Sequence, residues 1–95
     1  GLAAARYVEA WERAIDAATA GWTPELVLLS AGFDCLAGDP LGGFTLDMPE
    51  IDAMTRALVA RATAWCGGRL VGALEGGYAP ERVGEAVAVH LKALA

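Results

Sequence analysis

The chain has 95 residues, of which 56% are hydrophobic and 20% charged, so it holds one domain at most and is too apolar for intrinsic disorder. Its net charge is −5 and its seven Lys and Arg residues are scattered, which argues against nucleic acid as a partner. No run approaches the roughly 20 apolar residues of a membrane span, and no signal peptide is recognisable. Because Cys35 and Cys66 form no CxxC motif, a reducing, cytoplasmic location is expected.

An amphipathic helix is predicted first, over about residues 4–20. Its apolar residues recur at helical spacing and share one face: Tyr7, Trp11, Ala14, Ile15 and Ala18. Gly21 ends the helix, and Pro24 lies just beyond. Residues 26–29 are continuously apolar, which predicts a strand buried on both faces that ends at Gly32.

A loop rich in Gly, Asp and Pro covers residues 33–46, and a second helix follows it. Asp47 is its predicted N-cap, with Glu50 completing a capping box, and Gly67 and Gly68 end the helix. The predicted apolar face is Ile51, Met54, Leu58, Ala62 and Trp65. Residues 70–74 are a second short strand and residues 75–78 a turn. Pro80 then begins a third helix, with an apolar face formed by Val83, Val87, Leu91 and Leu94.

The element order αβαβα contains a strand, a crossover helix and a second strand. This combination predicts a right-handed βαβ unit with parallel strands. A parallel sheet normally has more than two strands and is covered on both faces. We therefore expect this chain to be a piece of a larger doubly wound sheet, or to cover its sheet by self-association as a homo-oligomer.

In open α/β sheets, ligands bind at the carboxyl ends of the strands. If the two strands are neighbours, Asp39 and Tyr78 approach the same crevice. Asp39 is then a metal ligand or a general base, or else a turn-forming residue before Pro40. Tyr78 places its phenol beside a ligand, or else it is a buried aromatic residue that anchors the third helix.

Four further features have a functional and a plainer interpretation. Asp34 shares the ambiguity of Asp39, the plainer alternative being that it caps loop amides. The glycine turn before the third helix lacks the Lys and Ser/Thr of a phosphate loop, and Glu75 would repel an anion. His90 is a structural or solvent-facing group in the last turn of the third helix. Cys35 is a thiol ligand or a small, half-buried residue.

Three motifs occur in order: SAGFD at residues 30–34, GDPLGG at residues 38–43 and LEGGY at residues 74–78. Together with HLKAL at residues 90–94, they resemble the zinc-dependent histone deacetylase family. The similarity is greatest to bacterial class II-like deacetylases, acetylpolyamine amidohydrolases and the acetoin-utilisation type. The resemblance implies an α/β fold, the parallel-sheet αβα sandwich of arginase/deacetylase type. Residues 1–95 would form only its αβαβα C-terminal portion.

The resemblance also implies roles for individual residues. Asp39 matches the zinc-ligand aspartate, and Tyr78 matches the tyrosine that hydrogen-bonds the acetyl oxygen. Zinc and a phenol O–H would together polarise the carbonyl and stabilise the oxyanion. The backbone of Gly76 and Gly77 would line the acyl channel. Leu46 matches a substrate-pocket wall, and Asp34 a residue outside the metal's ligand set that positions the loop.

The family's Asp-x-His zinc ligands and His-His general base do not occur in these residues. The remaining Zn²⁺ ligands are therefore expected upstream of this segment. The predicted function is the C-terminal part of a deacetylase that hydrolyses N-acetyl amides of lysine or polyamine side chains, inactive as this segment alone. The alternative is a non-catalytic α/β module that acts in assembly or self-association.

Overall fold

A computed structural model describes residues 3–39 and 45–95. In chain order its elements are α1 (Ala4–Ala18), β1 (Val27–Ala31), α2 (Met48–Cys66), β2 (Leu70–Leu74) and α3 (Pro80–Leu94). The two strands pair in parallel, from Val27 opposite Leu70 to Ala31 opposite Leu74. The predicted αβαβα order and parallel βαβ unit are therefore confirmed. Within the described residues, no helix is both long and apolar enough to cross a membrane.

The helix ends follow from local hydrogen bonds. The first helix stops at Ala18, two residues earlier than predicted, because side chains satisfy its last carbonyls. The Thr19 hydroxyl donates to the Ile15 carbonyl at 3.0 Å, and the Trp22 indole N–H donates to the Ala18 carbonyl at 2.8 Å. At the start of α2 the predicted capping box of Asp47 and Glu50 is present.

The buried core lies between α2, α3 and the loop after β1. Its central cluster is Phe33, Leu36, Ile51 and Ala86. The loop itself is fixed by a parallel bridge between Leu36 and Leu46, and both of these side chains are only 1% exposed. The described residues Leu36 and Leu46 of this loop therefore belong to the core.

The prediction that β1 is buried on both faces is wrong for this chain. Leu28 lies opposite Val71 on one face of the sheet, and these side chains are 74% and 57% exposed. The opposite face carries Leu29 and Ala31, which are half-buried and line a cavity with residues of α2. The prediction assumed a sheet covered on both sides, whereas this chain leaves the face of Leu28 open.

The predicted apolar face of α3 is also partly wrong. Leu91 is 59% exposed, whereas the buried residues of this helix are Ala86, His90 and Ala93. Small side chains let two helices approach closely, so the alanine face of α3 packs on α2. Leu91 instead lines an open groove beside Leu74 at the end of β2.

Ion pairs connect both outer helices to α2. Arg61 binds Asp16 through two nitrogens, at 2.9 and 3.0 Å, and reaches Glu12 at 2.8 Å. At the other end, Arg82 of α3 donates to the N-cap carboxylate of Asp47 at 2.6 Å. Each arginine holds the pKa of its aspartate partner below the usual value, mainly through the hydrogen bond.

Candidate active site

The loops that follow the two strands continue the sheet's hydrogen bonding beyond the strand ends. The Glu75 N–H donates to the Ala31 carbonyl at 3.0 Å, and the Phe33 N–H donates to the Gly76 carbonyl at 2.7 Å. The turn at residues 75–78 is thereby held against the loop that begins at residue 32. This is the carboxyl edge of the sheet, where a ligand is expected.

Asp39 and Tyr78 meet at this edge, as their positions in the sequence predicted. The Asp39 side chain is buried, with 7% exposed, and its Oδ2 accepts the backbone N–H of Tyr78 at 2.7 Å. The Asp39 N–H in turn donates to the carbonyl of Leu36 at 3.2 Å. A carboxylate that accepts an N–H is oriented as well as stabilised by the bond. The carboxylate is therefore fixed relative to both loops.

Tyr78 lies at the surface of this edge. The residue is 50% exposed, so the alternative of a buried anchor for the third helix is wrong. The Tyr78 hydroxyl and Asp34 Oδ2 lie 3.6 and 3.1 Å from the point that a Cβ on Gly76 would occupy. A side chain at position 76 would crowd the Asp34 carboxylate and would be in van der Waals contact with the Tyr78 hydroxyl. This geometry is compatible with a Gly76 that offers only its backbone, and its role toward a substrate stays a prediction.

Gly77 is required by the packing of the turn itself. Its φ is +138°, and a Cβ there would lie 2.6 Å from Val83 Cγ2 and 3.3 Å from Phe33 Cβ. These contacts disfavour a side chain at position 77 whether or not a substrate binds nearby. From the sequence alone, this turn can be interpreted only as a phosphate loop or, through the family resemblance, as an acyl channel, because the contacts to Phe33 and Val83 come from the tertiary fold.

The other predicted site residues in the described ranges are Asp34 and Leu46. Asp34 is exposed and lies beside Gly76, and its role in positioning the loop stays a prediction. Leu46 is in the core, at 1% exposure, and its predicted contact with a substrate stays a prediction. Pro40 and the rest of the GDPLGG motif at residues 41–43 lie outside the described residues.

Cys35 is half-buried close to the two acidic residues of the loop. Burial raises the pKa of its thiol, and the negative charges of Asp34 and Asp39 raise it further. A metal binds the thiolate and not the thiol. The neutral thiol favours the plainer of the two interpretations, a small residue packed within the loop.

The zinc site implied by the resemblance is not complete within residues 3–39 and 45–95. No group of three or more His, Cys, Asp or Glu side chains in these ranges could hold a metal ion. Zinc sites use three or four protein ligands, and Asp39 offers one carboxylate. The described residues can therefore contribute to a zinc site, but they do not hold zinc by themselves.

The sequence did not predict the partner of His90. This residue is buried at 9% exposure, so the solvent-facing alternative is wrong, and its Nδ1 lies 2.8 Å from the hydroxyl oxygen of Thr55. Thr55 is four residues beyond Ile51 on α2 and therefore shares its buried face. A threonine at that position was the available signal, although the sequence did not identify its partner.

Comparison with known proteins adds to this geometry. The family profile of the histone deacetylase domain matches residues 1–94. The chain belongs to the histone deacetylase family. It is 34% identical over 91 residues to type-2 histone deacetylase 2 of Dictyostelium discoideum, covering 93% of this chain. It is 38% identical over 72 residues to the histone deacetylase-like amidohydrolase of Pseudomonas aeruginosa, covering 76% of this chain.

The solved structures agree with the sequence comparison. The crystal structure of the HDA15 HD domain superposes with a TM-score of 0.81 at 28% identity, covering 99% of this chain and 26% of that one. The αβαβα unit is therefore a portion of a histone deacetylase fold. The chain spans 5% of the Dictyostelium relative and 19% of the Pseudomonas relative.

Proposed function

We propose that this chain is the C-terminal part of a zinc-dependent deacetylase that hydrolyses N-acetyl amides of lysine or polyamine side chains. The observation that carries the proposal is the hydrogen bond from the Tyr78 N–H to Asp39 Oδ2. It joins the GDP and GGY motifs at one edge of the sheet, where the family places a metal ligand and an oxyanion donor. The proposed substrate is an acetylated amine, and the proposed location is the cytoplasm.

In this proposal the residues of the chain have separate tasks. Asp39 supplies one Zn²⁺ ligand, and the remaining ligands and the general base come from sequence upstream. When bound, zinc polarises the acetyl carbonyl. Tyr78 donates its phenol O–H to the acetyl oxygen, and the half-exposed position of this side chain leaves it within reach of a substrate. Its backbone N–H is bonded to Asp39, which fixes the main chain from which the phenol extends.

The proposal requires that the 95-residue chain alone has no deacetylase activity. An active protein needs upstream sequence, which a chimera can supply. We suggest replacing the matching segment of the Pseudomonas aeruginosa amidohydrolase by this chain and assaying acetyl-lysine and acetylpolyamine reporters. Turnover of either reporter, and its loss on zinc chelation, is the expected result. The ratio between the two reporters reports on the substrate class.

Two substitutions in the chimera separate the two proposed roles. Tyr78→Phe should lower kcat by about 10²–10³ while bound zinc stays constant, because one oxyanion donor is lost. Asp39→Asn should lower zinc occupancy, because a charged ligand is removed while an acceptor for the Tyr78 N–H remains. Tyr7→Phe makes the same chemical change in α1 and should leave the rate unchanged. A folded, zinc-loaded chimera with full activity after Tyr78→Phe would refute the assignment.

A non-catalytic role in assembly is the second candidate, and one observation favours it. The open face of the sheet exposes Leu28 and Val71 side by side, with Leu26 at 51% exposure. Exposed apolar patches of this kind mark association surfaces. A chain that forms a stable homo-oligomer in light scattering, combined with a chimera that is folded but inactive, would favour this candidate over the deacetylase.

A further inference from the structure

His90 is a buried residue of α3 that is not among the candidate site residues. His90 and Thr55 are 9% and 4% exposed, and the 2.8 Å bond between them joins α3 to α2. The His90 ring also meets the ring of Phe33 in a T-shaped arrangement, with centroids 6.2 Å apart. His90 is thus held on one side by a hydrogen bond and on the other by an aromatic contact.

Phe33 connects this histidine to the turn that carries Tyr78. Its backbone N–H donates to the Gly76 carbonyl at 2.7 Å, and its Cβ lies 3.3 Å from the point that a Cβ on Gly77 would occupy. The turn is therefore in direct contact with Phe33 through its main chain. A displacement of the Phe33 ring would be passed to the turn, and from there to the bond between Tyr78 and Asp39.

The surroundings of His90 contain no compensating charge among the described residues. The side chains that line its two cavities are uncharged, and Cys35 is the single ionisable group among them. The thiol of Cys35 stays neutral, because burial raises its pKa. The charged residues of α2 nearest in sequence to Thr55, Asp52 and Arg56, pair with each other at the surface. On α3 itself, Lys92 is exposed.

Burial lowers the pKa of His90 below its ordinary value. The folded chain thus prefers the neutral imidazole more strongly than the unfolded chain does. The stabilisation is complete above the ordinary histidine pKa of about 6.5 and is lost as the pH falls from there toward the lower folded-state value. Protonation of His90 places a charge beside the Phe33 ring in an apolar site. The charged imidazole is solvated only if it moves away from Phe33 and Thr55.

We propose that His90 is a positioning residue for the turn at residues 75–78, holding it through Phe33 while neutral and releasing it when protonated. The importance of this positioning for catalysis rests on the proposed deacetylase function. The coupling itself does not, because it can be measured without substrate or zinc. The two proposals can therefore fail separately.

The test is amide hydrogen exchange, read by NMR on the 95-residue chain between about pH 5 and about pH 8. Protection factors of the Phe33 and Tyr78 amides are compared with that of Ile15 in α1. We expect the protection of Phe33 and Tyr78 to fall about tenfold on acidification through the histidine titration, while that of Ile15 changes less. His90→Asn retains a partner for Thr55 and does not titrate, so it should remove this step.

Two variants of Thr55 separate positioning from simple packing. Thr55→Val keeps the shape but removes the hydroxyl, and should lower the protection of Tyr78 about tenfold even at high pH. Thr55→Ser restores the hydroxyl and should restore the protection. If Thr55→Val unfolds the chain, the pH profiles of the unsubstituted chain and His90→Asn still decide. Parallel profiles for Tyr78 and Ile15, or an unchanged step in His90→Asn, would overturn the proposal.

Discussion

Gly77 and Gly84 allow the same substitution to be tested with opposite expected signs. Gly77 has a φ of +138°, and a Cβ there would meet Val83 Cγ2 at 2.6 Å and Phe33 Cβ at 3.3 Å. Gly84 lies inside α3, and a Cβ there would have no atom within 4 Å among the groups that could obstruct it. Gly77→Ala should therefore destabilise the fold, whereas Gly84→Ala should stabilise it.

The magnitudes follow from the two environments. A side chain forced into a backbone conformation that favours glycine costs about 1–3 kcal/mol. Overpacking against Val83 and Phe33 adds about 1–3 kcal/mol, so Gly77→Ala should lower the free energy of unfolding by about 2–6 kcal/mol in all. Gly84→Ala removes unfolded-state freedom and favours the helix, which should raise the same free energy by about 0.5–1 kcal/mol.

Urea unfolding followed by far-UV circular dichroism measures both free energies. Because small parallel units are weakly stable, Gly77→Ala is best measured in the Gly84→Ala background as well as alone. If Gly77→Ala leaves the unfolding midpoint unchanged, the turn does not pack as described. If Gly84→Ala lowers the midpoint, the surface of α3 is covered by something other than solvent.

Two further predictions concern the sheet face and the first helix. Because Leu28 is 74% exposed beside Val71, the chain should self-associate, and Leu28→Lys should shift light scattering toward the monomer; an unchanged mass would contradict an interface on this face. Arg61→Met should weaken the packing of α1 on α2. The variant should also lose less stability in acid than the unsubstituted chain does. That stability is present above the ordinary Asp16 pKa of 3.8 and is lost as the pH falls through the lowered folded-state value. Arg56→Met removes an exposed ion pair within α2 and is the control. It should leave the acid-dependent loss of stability unchanged.

Much of the fold was predictable because its signals are local. The capping box at Asp47, the ends of α2 and the boundaries of β2 depend on a few neighbouring residues, and the structure confirms them. The bounds of β1 were predicted less accurately: residues 26–29 were predicted, whereas the strand is Val27–Ala31. Strand bounds are set by the partner, and β1 pairs in register with all five residues of β2.

The errors arose where burial depends on which elements are present. Leu28 and Leu91 have the hydrophobicity of core residues, but both are exposed, because no element within residues 3–39 and 45–95 covers them. Thr55 and His90 show the reverse: both are polar, yet both are buried because each satisfies the other. The hydrophobic pattern along one element predicts neither case, because burial also depends on which other elements pack against it.

The convergence of Asp39 and Tyr78 was predictable from topology, whereas the form of their contact was not. The topology requires the ends of neighbouring parallel strands to meet, which places the two loops together. It does not say that the Asp39 carboxylate bonds a main-chain N–H and leaves the phenol of Tyr78 at the surface. That distinction depends on the geometry of the glycine turn, which tertiary contacts with Phe33 and Val83 determine.

Asp39 and Tyr78 both depart from the plainer interpretations of a turn residue and a helix anchor. An aspartate that only forms a turn bonds amides a few residues away. The Asp39 carboxylate accepts the backbone N–H of Tyr78, which is 39 residues further along the chain, and Asp39 is buried. A tyrosine that only anchors a helix would bury its ring, but Tyr78 leaves half of its surface exposed beside Asp34 and Gly76. A buried carboxylate that orients the main chain of a half-exposed tyrosine is compatible with the proposed metal-assisted amide hydrolysis, in which the carboxylate would bind the metal and the phenol would act on the oxyanion.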